Sequence, residues 1–147
     1  KKMSVQKYFT VENKLQIASA IRVAETNTSG EIRVHIEKNC KEDVLDRAAY
    51  WFEQLDMHKT KLRNGVLFYL AVDDRKFAIL GDAGINHKVP SDFWEETKEL
   101  VISKFKEGSF SEGLAAGIIK AGEQLKQHFP FKSDDVNELS NEISFGK

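Results

Sequence analysis

Hydrophobic and polar positions alternate in "EIRVHIEK", where Ile32, Val34 and Ile36 fall on one side and Glu31, Arg33, His35 and Glu37 on the other. That period of two predicts a strand with one face on a core and one polar face toward solvent. "GVLFYLAV" is apolar on both sides, which predicts a strand in the middle of a sheet. The short polar link "DDR" separates it from "KFAIL", so these two runs read as a hairpin. Elsewhere the apolar period lengthens to that of a helix. Ile17, Ala18, Ile21 and Ala24 form one stripe after Thr10, and "TNTSG" ends it. Val44, Leu45, Ala48, Phe52 and Leu55 form a second, with Glu42 and Asp43 suited to its positive end. A third helix is predicted from Ser91 or Asp92, with Phe93, Thr97, Leu100, Val101 and Phe105 on its stripe and Gly108 at its close. Ser109 and Glu112 stand at capping-box spacing before a fourth, lined by Phe110, Leu114, Ile118, Ala121 and Leu125.

The order is helix, strand, helix, strand, strand, helix, helix. The first β-α-β unit should be a right-handed crossover with parallel strands, and the hairpin adds an antiparallel one. Helices on both faces of a small mixed sheet give an α/β fold, a three-layer α/β/α sandwich. This topology sorts the loops into two ends. One carries Gly30-Glu31, Arg63-Asn64 and Gly81-Asp82; the other carries Glu37, Asp73 and Asp74.

Length and charge narrow the function. The chain's 147 residues are one domain's worth. Its net charge of -1 gives no basic footprint for nucleic acid. No run is long enough to span a bilayer, so a soluble, cytoplasmic protein without membrane insertion is expected. The single cysteine, Cys40, cannot form an intramolecular disulfide and fits a reducing compartment.

The familiar catalytic signatures are absent: the sequence has no Walker loop, GxGxxG, GxSxG, CxxC or HExxH pattern. Carboxylates at strand ends are the remaining candidates. Glu31, Asp73, Asp74 and Asp82 are expected metal ligands, since hard cations such as calcium or magnesium take oxygen donors. Asp82 stands out because it follows Gly81 and precedes Gly84 just beyond a buried strand. The competing interpretations are plain: "DDR" as a turn, Glu31 and Arg33 as a solvated strand face, Asn86 and His87 as loop residues. Gly113, Gly117 and Gly122 in the last helix are best explained by close packing on a neighbour.

Three stretches together resemble the TPM domain family, which includes a thylakoid acid phosphatase and a photosystem repair protein. They are "SGEIRV", "NGVLFYLAVDDRKFAI" followed by "GDAGI", and "FKEGSFSEGLAAGI". The resemblance covers residues 10–130, leaving 1–9 as a lead segment and 131–147 as a tail. Within that tail "EISF" is either a loose end or a short strand. The likeness is to the stand-alone soluble form of bacteria. It implies a helix-flanked sheet, divalent cation binding (notably calcium) and, for some members, weak acid phosphatase activity on a phosphomonoester. Such hydrolysis would be metal-assisted, with Asp73 or Glu31 as the base. Other members imply a non-enzymatic interaction module with a protein partner in membrane-complex assembly or repair. Asp73, Asp74 and Arg75 match the family's "DDR", and Gly81 and Gly84 its glycine-bearing loop. Asp82 takes the place of an aromatic residue common there, and Asn86 falls near the position of a Glu.

Overall fold

The computed structural model describes residues 4–132 and 137–146. After a 3-10 turn at Val5–Tyr8, the chain forms α1 (Val11–Asn27), β1 (Glu31–Glu37), α2 (Val44–Gln54) and β2 (Gly65–Ala71). Then come β3 (Lys76–Gly81), the single turn α3 (Ala83–Asn86), α4 (Glu95–Lys106), α5 (Phe110–Leu125) and β4 (Ser144–Phe145). The sheet order is β3-β2-β1-β4. β1 runs parallel to β2 and β4, and β2 is antiparallel to β3. The expected crossover and hairpin are both present, and "EISF" supplies β4.

Helix α1 begins where the sequence signals it. Thr10 accepts from the Asn13 amide while the Asn13 side chain accepts from the Thr10 amide, a reciprocal box closed by Asn13. Ser109 caps α5 in the same sense by accepting from the Glu112 amide. α4 starts later than its stripe predicts. The 3-10-type bonds Phe93 N–H to Pro90 O and Glu95 N–H to Asp92 O hold residues 90–95 in tight turns before the regular helix.

The three layers are α1, α4 and α5 on one face of the sheet and α2 on the other. On the first face, Ile32, Val34 and Ile36 of β1 and Val66, Phe68 and Leu70 of β2 pack under Ile17, Ile21, Val101, Leu114 and Ile118. The helix glycines let these elements approach. A β-carbon at Gly117 would lie 2.3 Å from Val101 Cγ2, and one at Gly122 would lie 2.8 Å from Ala24 Cα. On the second face, Ala48 and Phe52 of α2 cover Leu67, Tyr69, Ala71 and Ala78. Leu45, placed on that stripe by its spacing, is instead exposed. Val44 and Leu55 pack against the cluster as expected, and Trp51 joins them.

The polar face of β1 departs from expectation. Glu31, His35 and Glu37 are buried, not solvated. The β1–α2–β2 crossover lays α2 over this face, and residues 138–146 pass along the outer side of β1 through β4. Each polar group therefore needs partners from those segments. Glu37 accepts from Arg47 Nε (2.8 Å), Arg47 Nη2 (3.1 Å), Trp51 Nε1 (3.2 Å) and the Tyr69 hydroxyl. His35 stacks on Trp51 at 3.9 Å between ring centroids, and its Nδ1 lies 2.8 Å from Ser144 Oγ. Burial pushes the His35 pKa down, which keeps the ring neutral at ordinary pH.

Candidate anion-binding cleft

Pairing fixes what meets at one end of the sheet. The register sets Glu31 opposite Gly65 and Val66 opposite Gly81. Glu31 N–H donates to Asn64 O (3.1 Å), Asp82 N–H to Gly65 O (2.9 Å), and Asn64 Nδ2 to Ser29 O (3.0 Å). Glu31, Asn64 and Asp82 thus lie along one edge, as the strand directions require.

"GDAGIN" is one turn of helix, with Asp82 as its cap. Asp82 Oδ1 accepts from Ala83 N–H at 2.7 Å. The same carboxylate is clasped by Arg63, with Nε to Oδ2 and Nη2 to Oδ1 both at 2.7 Å, a bidentate pair. Arg63 adopts positive φ (52°), a conformation uncommon for a residue with a side chain. Its carbonyl accepts from Gly84 N–H at 2.9 Å, so the 60–64 loop lies directly on α3.

Beside this pair runs a cleft of about 670 Å³ between the 61–63 loop, α3 and the chain after α5. Its charged walls are Lys61, Arg63, Lys88 and Lys132, and its imidazoles are His87 and His128. Among the described residues no carboxylate lines it. Lys88 Nζ lies 4.6 Å from the centroid of the Phe129 ring, a cation–π contact that holds it at the wall. The far wall is anchored to α1 by Ser29 N–H on Phe129 O (2.9 Å) and by the Thr28 hydroxyl on the same carbonyl. Cations from separate segments, with walls fixed by backbone bonds, suit a small anion.

The four expected metal ligands fall into two distant pairs. Asp82 and Glu31 are at this end; Asp73 and Asp74 are at the other, about 20 Å away along seven-residue strands. Asp73 accepts from the Tyr8 hydroxyl at 3.1 Å, and Lys38 Nζ lies 3.9 Å from it. Asp74 Oδ2 accepts from Cys40 N–H at 2.7 Å, which ties the hairpin turn to the β1–α2 loop. Among the described residues no group of three or more His, Cys, Asp or Glu could hold a metal ion. Calcium takes six to eight oxygens, whereas both Asp82 oxygens here face Arg63. The carboxylates as arranged do not form a cage for that ion.

Glu31 has a different assignment. Its Oε1 accepts from Glu138 N–H (2.5 Å) and Leu139 N–H (2.7 Å), pinning the C-terminal segment to the sheet. Burial, aided by the Glu138 charge, raises its pKa from 4.5 to about 7 despite those two bonds. A carboxyl with a raised folded pKa favours the folded state most below its ordinary value. That contribution is lost as pH rises from 4.5 through about 7. The domain is therefore expected to lose stability between about pH 4.5 and about pH 7, read as a falling urea midpoint. In Glu31→Gln this slope should vanish; its survival there would assign it to another group.

The cleft was invisible as a unit in the sequence, because Lys61, Lys88 and His128 come from three separate segments. Only the local signals were present: the basic run "HKTKLRN" and the glycines around Asp82.

Among known proteins, the TPM domain family matches residues 4–124. The NMR structure of the BA42 protein from the psychrophilic bacterium Bizionia argentinensis is 51% identical, with a TM-score of 0.91. That match covers 97% of this chain and 98% of the other. The N-terminal domain of a P. gingivalis protein shares the fold at 18% identity and TM-score 0.67, over 82% of this chain and 78% of its own. So does the N-terminal domain of a Corynebacterium glutamicum protein, at 11% identity and TM-score 0.62, over 96% and 82%. No curated protein matches the chain. No described helix is long and apolar enough to cross a membrane.

Proposed function

Because the chain belongs to the TPM domain family, we propose that its basic cleft binds the phosphate group of a phosphomonoester. One observation carries the proposal: among the described residues, four cationic side chains, two imidazoles and no carboxylate line a single cleft. Arg63 gives Nε and Nη2 to Asp82, so its part at the phosphate would fall to the remaining N–H groups of the guanidinium, which the Asp82 pair holds in place. A divalent cation, calcium or magnesium, enters as a companion of the phosphate. Magnesium keeps several waters and binds substrate phosphates without an all-protein cage, so here waters and phosphate oxygens would be its ligands. Weak hydrolysis of the ester is the finer part of the proposal.

Inorganic phosphate titrated against backbone amide NMR shifts tests it. Saturable shifts at residues 61–63, 83–88 and 128–130 are expected at millimolar phosphate. Lys61→Gln with Lys88→Gln should weaken binding about tenfold, the loss of roughly 1.4 kcal/mol. Absence of shifts in the cleft would sink the proposal. Turnover of para-nitrophenyl phosphate that requires calcium or magnesium and falls in Arg63→Ala would support hydrolysis; phosphate binding without turnover would leave a binding domain.

A second proposal, a protein-interaction module, is favoured by a different surface. α1 exposes Val11 (71%) and Leu15 (59%) beside Ile143 and Phe145. Large exposed apolar groups gathered beside one groove are a feature of docking sites. A partner bound there would shift residues 11–18 and 143–145 and leave the cleft unchanged.

A further inference from the structure

At the opposite end of the sheet, two of the stretches that carry the family resemblance meet without any role in the cleft. "DDRK" brings Arg75, and "FKEGSF" brings Phe105, Lys106 and Phe110. Between them lies a second cavity, of about 460 Å³, walled by Phe77, Ile102, Phe105 and Phe110.

The rings are held by one another and by the backbone. Phe105 meets Phe77 edge-on at 5.5 Å between centroids and Phe110 at 5.2 Å. Phe105 can lie against α5 only because residue 113 is glycine: a β-carbon there would be 2.8 Å from Phe105 Cε1. Gly108, at φ 89°, ends α4 with its N–H on Phe105 O (2.9 Å), and Ser109 N–H follows onto Lys104 O (3.2 Å). That sharp exit sets the first turn of α5 apart from the last turn of α4 and leaves the space between Phe105 and Phe110. The cavity is graded: Phe77 at its wall is buried, while Arg75 and Lys106 are exposed. Among the described residues its only charged lining groups are those two cations. Arg75 is held in the left-handed region (φ 53°) by the hairpin turn.

We propose that this cavity binds a small amphiphilic anion, an alkyl or aromatic carboxylate. The apolar body would lie among the phenylalanines and the carboxylate at Arg75 and Lys106. The volume lies in the range of small-molecule sites, and an apolar lining with a few charged groups on one side gives such a ligand a single orientation. The ligand class and the location both differ from those of the phosphate cleft.

Octanoate is the probe, and octanol is its neutral counterpart. Octanoate should give saturable amide shifts at residues 75–77 and 102–110 and none at 83–88. Arg75→Asn with Lys106→Gln, where Asn tolerates positive φ, should weaken octanoate about tenfold and leave octanol unchanged. Ile102→Trp, filling the cavity, should remove the shifts from both probes. The proposal is overturned if octanoate leaves residues 75–77 and 102–110 unshifted. It is equally overturned if octanol binds wild type as tightly as octanoate, or if the charge variant binds octanoate undiminished. The surface charge variant keeps the test decisive even where Ile102→Trp fails to fold.

Discussion

Glu37→Ala is expected to lower the stability of the domain by about 3 kcal/mol, the size seen when one partner of a buried ion pair is removed. The side chain is 3% exposed and accepts hydrogen bonds from Arg47, Trp51 and Tyr69. Truncation strands all three donors, and stranding a donor costs more than its bond contributed. The guanidinium of Arg47 stays partly in water at 27% exposure, which keeps the cost at the lower end of the range. Acid should produce the same loss more gradually. Burial alone would raise the Glu37 pKa, but nearby His35 and the bonds from Arg47 and Tyr69 bring it down from 4.5 to about 2. A depressed carboxyl stabilises the fold above its ordinary pKa and ceases to do so as pH falls through the folded value. His35, buried and neutral, adds to that acid limb with the same sign. Urea denaturation at neutral pH and again near pH 3 reads both effects. Glu37→Gln should flatten the acid limb, and a loss below about 1 kcal/mol in Glu37→Ala would show that water replaces the missing acceptor.

Gly84→Ala should cost about 2–3 kcal/mol and open the basic cleft, although alanine is the better helix former. The added β-carbon would lie 2.2 Å from Leu62 O and 2.6 Å from Arg63 O. Both are backbone atoms, so no side-chain rotation relieves the clash. The 60–64 loop must lift, and with it the Gly84 N–H bond to Arg63 O and the Arg63–Asp82 pair. Stability and phosphate affinity should therefore fall together. Arg63→Ala, by contrast, leaves the loop seated but strands the buried Asp82 carboxylate, so it too should lower stability, and Lys61→Gln with Lys88→Gln is the variant that should weaken phosphate binding with little loss of stability. An unchanged denaturation midpoint in Gly84→Ala would mean that the loop yields freely.

These two residues mark the limits of what the sequence makes legible. The wholly apolar run at residues 65–72 and the alternation at 31–37 determine the strands, and the crossover rule then sets their directions. From those directions, Glu31, Asn64 and Asp82 are placed on one edge before any coordinates. Alternation fails for Glu31, His35 and Glu37, because polar residues on one face do not reveal what will cover that face. Here α2 covers it with Arg47 and Trp51, which sit four residues apart and so share one side of the helix. The basic cleft was beyond such reasoning, since its cations have no common spacing. Gly84 could be recognised as a turn glycine; the two carbonyls that require it could not.

The position of β1 has a consequence for how the chain reaches this state. β1 has β2 on one side and β4 on the other, and its partners come from residues 65–71 and 144–145. The helix before it, α1, packs on α5, with Ala24 against Gly122. β1 can pair with β2 early, but its outer neighbour β4 and the partner of the first long helix come only from the far end of the chain. Such non-local closure is slow, because the chain loses the entropy of a long loop before the contacts form. A nascent chain still lacking α5 would expose the Ile17–Ile21 stripe of α1, so assembly should proceed from the β2–β3 hairpin outward, with α1 docking late.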